Sequence, residues 1–130
     1  FSTAADTKVF EWGGSVDGGS VDGGSVEDEG PKRISAEMYG YQPASPDSLQ
    51  GGDAAENATI LLSILEGRST RAQRDIVELN AMFGILCSGA VTSEEQAQAM
   101  ARESIDSGAA RQKLAQFVEW SNRLSNGDAR

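Results

Sequence analysis

Three glycines, Gly67, Gly89 and Gly108, each close an apolar run just ahead of a new helix start, and they divide residues 51–124 into four segments of helical length. Gly51-Gly52 breaks the chain, Asp53 is a good N-cap, and Glu56 three residues later completes a capping-box pattern. The first helix is expected over about Ala54 to Glu66, with Ala58, Leu61, Leu62 and Leu65 on one face and Gly67 as its stop. Ser69-Thr70 opens the second, where Ile76, Val77, Leu79, Ala81, Met82, Phe83, Ile85, Leu86 and Cys87 leave a surface that is apolar nearly all round. It is expected to be the central, most buried helix. Ser93 with Gln96 starts a third, running through Ala97, Met100, Ala101 and Ile105 to Gly108. The fourth, about Ala109 to Leu124, sets Leu114, Phe117, Val118 and Leu124 on one stripe, and residues 125–130 read as a frayed tail.

The first 50 residues are built differently. They hold all three prolines, eight of the 15 glycines, and three basic against nine acidic residues. Thr7 to Trp12 has the alternation and β-branched and aromatic enrichment of a strand, with Val9 and Glu11 to one side and Phe10 and Trp12 to the other. Residues 33–41 are the expected return strand. Between them a pentapeptide occurs three times, GGSVD at 13–17 and 18–22 and GGSVE at 23–27. One valine per unit buries too little to offset the entropy of two glycines, so 13–30 reads as a flexible hairpin loop expanded by repetition. The predicted organisation is therefore a β-hairpin with its repeat loop and a connector over 1–50, a helical unit over 51–124, and the tail.

Composition removes several function classes. The chain has 130 residues, the size of one domain, with 11 Lys+Arg against 20 Asp+Glu and a net charge of −9. Such a balance argues against nucleic acid and against anionic lipid, both of which call for clustered cations. The apolar run Ile60 to Leu65 is far short of the roughly 20 residues that span a bilayer. The single cysteine, Cys87, forms no internal disulfide and suits a reducing, intracellular setting, and the lack of histidine removes His-dependent triads and HExxH-type zinc sites. Phe1 is followed by neither a basic n-region nor an apolar h-region, which reads as a processed product or a fragment.

Candidate chemistry is sparse. Asp17, Asp22, Glu27, Asp28 and Glu29 are hard oxygen donors for calcium, but their spacing fits neither the calcium-binding nonapeptide repeat nor the EF-hand loop. Arg71 and Arg74 could form an anion site, yet they stand one turn from Asp75 and Glu78, and surface i,i+4 pairs are the expected reading. Asn80 lies inside the most apolar segment and needs a partner, for which backbone of an adjoining element is favoured over a ligand. Asp53 and Glu56 suit capping better than acid–base or metal work, and a carboxylate at the N-cap repels the anion that Gly51-Gly52 would otherwise cradle. Trp12 and Trp120 are expected to pack.

Residues 51–122 resemble the C-terminal part of anthranilate phosphoribosyltransferases, in the superfamily that includes the pyrimidine nucleoside phosphorylases. The resemblance is carried by Gly51-Gly52-Asp53 with Glu56-Asn57-Ala58, by Leu65-x-Gly67, by Arg74-Asp75-Ile76-Val77-x-Leu79-Asn80-Ala81, and by Ser107-Gly108-x-Ala110. Thr7, Val9 and Glu11 are similar to the family's T-x-V-x-E strand, and Tyr39 to Pro43 to its Tyr-x-x-x-Pro stretch. The triple repeat departs from the family at a hairpin where insertion is cheap.

The resemblance implies an α/β family fold of which this segment is the mainly α C-terminal part with an N-terminal β-hairpin. It implies transfer of phosphoribosyl from phosphoribosyl pyrophosphate to anthranilate in tryptophan biosynthesis, with Mg²⁺ stabilising the leaving pyrophosphate. The family's GTGGD loop, its Lys-His-Gly-Asn-Arg stretch and its metal-binding Asp-Glu pair have no match here, and the chain is expected to begin just after that pair. No catalytic, cofactor-binding or metal-ligating residue is therefore assigned to this chain. The partners implied are the N-terminal helical domain, the catalytic part of the α/β domain and a second copy of the whole enzyme, in the cytoplasm or a plastid. Two other readings stay open: a free-standing, non-catalytic helical interaction module, and a nucleoside phosphorylase relative. Severed from its sheet, the second helix would leave Ile76, Leu79, Phe83 or Leu86 uncovered.

Overall fold

The structure is a computed structural model and describes residues 1–9, 32–125 and 127. Strands β1 (Thr7–Val9) and β2 (Lys32–Ile34) pair antiparallel, with Thr7 opposite Ile34 and Val9 opposite Lys32. Four helices follow, α1 (Ala54–Leu65), α2 (Arg71–Cys87), α3 (Glu94–Asp106) and α4 (Ala109–Ser125). The fold is mainly helical with a short hairpin at its start, as the sequence pattern predicts. The repeat loop, Phe10, Glu11, Trp12 and the acidic cluster from Asp17 to Glu29 lie outside the described residues, as does nearly all of the expected tail beyond Ser125.

The return strand is shorter than expected. It stops at Ile34, and Ala36–Tyr39 wind into a 3₁₀ turn closed by Gly40 at φ 76°. Gly40 N–H donates to the Glu37 carbonyl at 3.0 Å and Tyr41 N–H to the Ala36 carbonyl at 3.1 Å, a helix-ending pattern that needs a left-handed residue at Gly40. This turn redirects the chain so that Ala36 and Tyr41 enter the core. A second 3₁₀ turn, Pro46–Leu49, leads to α1.

Each predicted helix start is present. Asp53 Oδ1 accepts from the N–H groups of Ala55 and Glu56, both at 2.9 Å, while Glu56 Oε2 accepts from Asp53 N–H at 2.9 Å. Thr70 caps α2, with Gln73 completing a reciprocal box, and Ser93 Oγ accepts from Gln96 N–H at the start of α3. The two glycines ahead of α1 also have a local reason. Asn57 folds back to accept from Gly52 N–H at 3.0 Å and to donate to the Gly52 carbonyl at 2.8 Å. A Cβ built on Gly51 would stand 2.4 Å from Asn57 Oδ1, and one on Gly52 would stand 1.8 Å from Glu56 Oε2. Bare backbone is what lets both side chains close over the turn.

The core lies between α2 and α3, where Leu79 and Met82 meet Ala97, Ala101, Ala36 and Tyr41. Small residues at 97 and 101 let the helices approach closely, and Ile105 extends that stripe one turn further. Met100, expected on the stripe, is 44% exposed because the contact on α3 is an i, i+4, i+8 line one residue wide. Helix α2 is central as predicted but is not buried all round: its buried line is Asp75, Glu78, Leu79 and Met82, and Cys87 at its end is exposed. Leu79 is fully covered inside the chain, and Ile76, Phe83 and Leu86 are half-buried.

The outer helices depart most from expectation. Helix α1 buries Ile64, whereas Leu61 and Leu62 of its predicted inner face are 41% and 42% exposed. Helix α4 buries nothing completely, and Phe117, Val118 and Leu124 of its predicted stripe are exposed along with Trp120.

The geometry before α1 predicts an interaction between two substitutions. Gly52→Ala should destabilise by about 1 kcal/mol by pushing the Glu56 carboxylate off the Asp53 N–H. In a Glu56→Ala background the same change should fall within about 0.5 kcal/mol of neutral, a coupling that urea denaturation of the four variants measures.

Candidate functional site

The densest cluster of chemistry is built around Glu78, a carboxylate 3% exposed on the inner line of α2. Its Oε1 accepts from Arg74 Nε at 2.5 Å, one helical turn back. Its Oε2 accepts from Arg102 Nε of α3 at 3.1 Å and from the Tyr41 hydroxyl at 3.3 Å. Arg74 reaches on to Asp106 at the end of α3, Nη2 to Oδ1 2.7 Å, and the Arg102 guanidinium lies 5.6 Å from the centre of the Tyr41 ring. Removing a carboxylate from water costs several kcal/mol, and only this full set of charge-assisted bonds offsets it.

Titration follows from the packing. Burial pushes the Tyr41 phenol above its usual range, and the nearby Glu78 charge adds to that. The bond to Glu78, helped by Asp106, raises Arg74. For Arg102 burial is the largest influence and opposes the charge, and its interactions with Glu78 and Tyr41 together outweigh it and raise the guanidinium. These groups are engaged with one another, so the cluster holds α2, α3 and the Tyr41 segment together.

The expected surface pairs are thus half right. Arg71 pairs with Asp75 at 3.4 Å, with the arginine exposed and the carboxylate buried. Arg74 and Glu78, by contrast, belong to the interior, because α3 covers that side of α2. Neither arginine is available as the anion site weighed from the sequence. Tyr41, Arg102 and Asp106 carried no local signal, since they reach this cluster from 37, 24 and 32 residues away in the chain.

Asn80 finds a backbone partner, as expected, although its side chain lies on an exposed part of α2. Its Oδ1 accepts from the Phe1 nitrogen at 2.9 Å, and its Nδ2 donates to the Phe1 carbonyl at 3.0 Å and to the Ile76 carbonyl at 2.8 Å. Beside it the Phe1 and Phe83 rings stack at 3.6 Å between centroids, with Tyr39 edge-on to Phe83 at 5.4 Å.

Among the described residues no group of three or more Asp, Glu, Cys or His converges to hold a metal ion. Asp53 and Glu56 are the capping pair, and Glu78 is closed off by two arginines. The described residues therefore do not fit a Mg²⁺ site. A hollow of about 500 Å³ lies over the start of α1, lined in part by Gly52, Ala55, Glu56 and Ile60, and its capping carboxylates disfavour a phosphate there. A second hollow of about 590 Å³ separates α1 from α4 and is walled mostly by Leu61, Leu62, Leu114 and Val118. Arg111 of α4 spans the end of these helices to Glu66, Nε to Oε1 2.8 Å, and Arg68 also pairs with Glu66; the two cations hold that carboxyl below its usual range, Arg68 foremost. No helix among the described residues is long and apolar enough to cross a membrane.

Against known proteins, the family described as "Glycosyl transferase family, a/b domain" matches residues 18–111. The chain belongs to that family. Among curated relatives, the anthranilate phosphoribosyltransferase of Rubrobacter xylanophilus is 42% identical over 96 residues, 74% of this chain and 28% of the relative. The one from Geobacter sulfurreducens is 40% identical over 91 residues, 70% of this chain and 26% of its own length. That of Acetivibrio thermocellus is 45% identical over 86 residues, 66% and 25% respectively. The chain spans about a quarter of the length of the curated relatives it matches. Within this glycosyl transferase segment, the Gly51-Gly52-Asp53 and Arg74 to Ala81 motifs coincide with the capping turn, the Glu78 cluster and the Asn80 contact.

Two measurements test the cluster. Glu78→Ala, which leaves two arginines facing a dry gap, should lower stability by about 3–5 kcal/mol in urea denaturation. Tyr41 makes a second, pH-dependent contribution. Its raised phenol keeps its proton longer in the folded chain than in the unfolded one, so the native state binds more protons at high pH. The stability tied to it is complete below the unfolded-chain value near 10 and declines as pH rises through the higher folded value, a slope that Tyr41→Phe should flatten.

Proposed function

We propose that this chain is the C-terminal part of an anthranilate phosphoribosyltransferase, which transfers phosphoribosyl from phosphoribosyl pyrophosphate to anthranilate in tryptophan biosynthesis. The catalytic motifs stand outside this chain, on the polypeptide preceding Phe1. The observation that carries this is the pairing of 40–45% identity to proteins of that name with a set of polar groups engaged in folding. Arg74, Glu78 and Arg102 bind one another, Asp53 and Glu56 cap α1, and Asn80 holds backbone.

On this reading the segment is a buttress. In the transferase the anomeric carbon gains positive charge as pyrophosphate leaves, so rate depends on how well the reacting groups are held. Residues 51–125 contribute rigidity to that arrangement and no group to the reacting atoms. The magnesium ligands, both substrate sites, the helical N-terminal domain and a homodimer contact belong to the rest of the enzyme, in the cytoplasm or a plastid. The open apolar walls of α1 and α4 support a neighbour of this kind, since patches of that character mark interaction surfaces.

Loss of anthranilate fluorescence in the presence of phosphoribosyl pyrophosphate and Mg²⁺ tests the reading. The complete gene product should turn over, and the 130-residue chain alone should not. Turnover by the isolated chain would place catalytic groups within it, and an inert complete product would remove the transferase reading altogether.

A further inference from the structure

Residues 1–4 are held at successive points. Phe1 is paired at both backbone groups by the Asn80 amide and stacked on Phe83. Ser2 N–H donates to Thr7 Oγ1 at 3.2 Å, the Thr3 carbonyl accepts from Ala44 N–H at 2.9 Å, and Ala4 N–H donates to Ser2 Oγ at 3.1 Å. The Asn80 amide is fully used: one Nδ2 hydrogen goes to Phe1, the other back to Ile76 on its own helix, which fixes the orientation of Oδ1 toward Phe1. A peptide N–H in place of the amino group at Phe1 would donate to the same oxygen.

We propose that Asn80, with Phe83 beside it, is a positioning residue for the reaction: it sets the place and direction of the polypeptide that precedes Phe1. This rests on the reading above, that catalytic groups stand on that polypeptide. Asn80 touches no reacting atom. It acts through the backbone, as a two-point clamp from the most central helix of the segment to the incoming chain. The clamp sits on an exposed part of α2, so its hydrogen bonds add little to global stability. Geometry is more demanding, because displacing a reacting group by about 1 Å can cost on the order of a hundredfold in rate.

The test uses the complete gene product carrying Asn80→Asp, Asn80→Ala or Phe83→Leu. Asn80→Asp keeps an acceptor for the Phe1 nitrogen but sets a carboxylate against the Phe1 and Ile76 carbonyls. The expected result is a fall in kcat per folded molecule of about tenfold or more for both Asn80 variants, with KM moved by less than about twofold. Phe83→Leu, which removes the ring stack and leaves the amide clamp, should fall between them and the wild type. Amide exchange at Ser2 to Ala4 should quicken in all three, while the melting temperature drops by no more than about 2–4 °C. Unchanged kcat per folded molecule in both Asn80 variants, beside an active wild type, would overturn the proposal. An inactive wild-type product, or a native intact mass that begins at Phe1, would overturn the parent reading and this one with it.

Discussion

A carboxylate taken out of water has to be matched group by group, and at Glu78 the matching groups come from three stretches of chain. Arg74 is supplied by the preceding turn of α2, Arg102 by α3, and the Tyr41 hydroxyl by the segment that follows the hairpin. The alanine line of α3 brings the helices close enough for Arg102 to reach, and the left-handed Gly40 turns the chain so that Tyr41 arrives from the other side. Packing and charge are therefore one arrangement. Tyr41 joins the two, since its ring belongs to the cluster that covers Leu79 and Met82 and its hydroxyl donates to Glu78. Oil-like contacts alone tolerate sliding, whereas a buried ion cluster accepts one register of α2 on α3.

What could be read from the sequence and what could not divide along the distance a signal travels. Helix starts are decided within four residues: Asp53 with Glu56 and Thr70 with Gln73 form the full reciprocal box, and Ser93 accepts from Gln96 N–H. The short 3₁₀ turn at Ala36–Tyr39 was hidden because Arg33 to Tyr41 has enough β-branched and aromatic character to pass for a strand, and the deciding glycine sits near its end. Burial on α1 and α4 departs from the pattern for a different reason. A period of 3.6 identifies an apolar face but not what covers it, and Leu61, Leu62, Phe117 and Leu124 form such faces while remaining open in this chain. On α2 the departure is opposite: Glu78 breaks the apolar pattern, so the sequence places it outside, yet its partners draw it in.

The same division holds for the candidate site. Asn80 announced itself as an amide in apolar surroundings that needed a partner, and the partner proved to be backbone, though nothing within reach of Asn80 in sequence named Phe1. Arg74 looked like a cation near the start of a helix, available to an anion; its engagement by Asp106 depends on where α3 ends, 32 residues later. Local patterns give the chemistry a residue can offer. Tertiary contacts decide whether that offer is already taken.

That distinction bears on the role proposed for this segment. In this chain the polar groups of the capping turn, the Glu78 cluster and Asn80 turn toward one another or toward backbone, and the apolar faces of α1 and α4 turn outward. The outward faces are kept in place by the far end of the segment, where Glu66 takes Arg68 and Arg111 and so fixes the end of α1 against the first turns of α4. Buried charge sets the register of α2 and α3, the Asn80 clamp sets the direction of the chain at Phe1, and the Glu66 pairs set the spacing of the two open helices. Each is a constraint on where neighbouring polypeptide can stand.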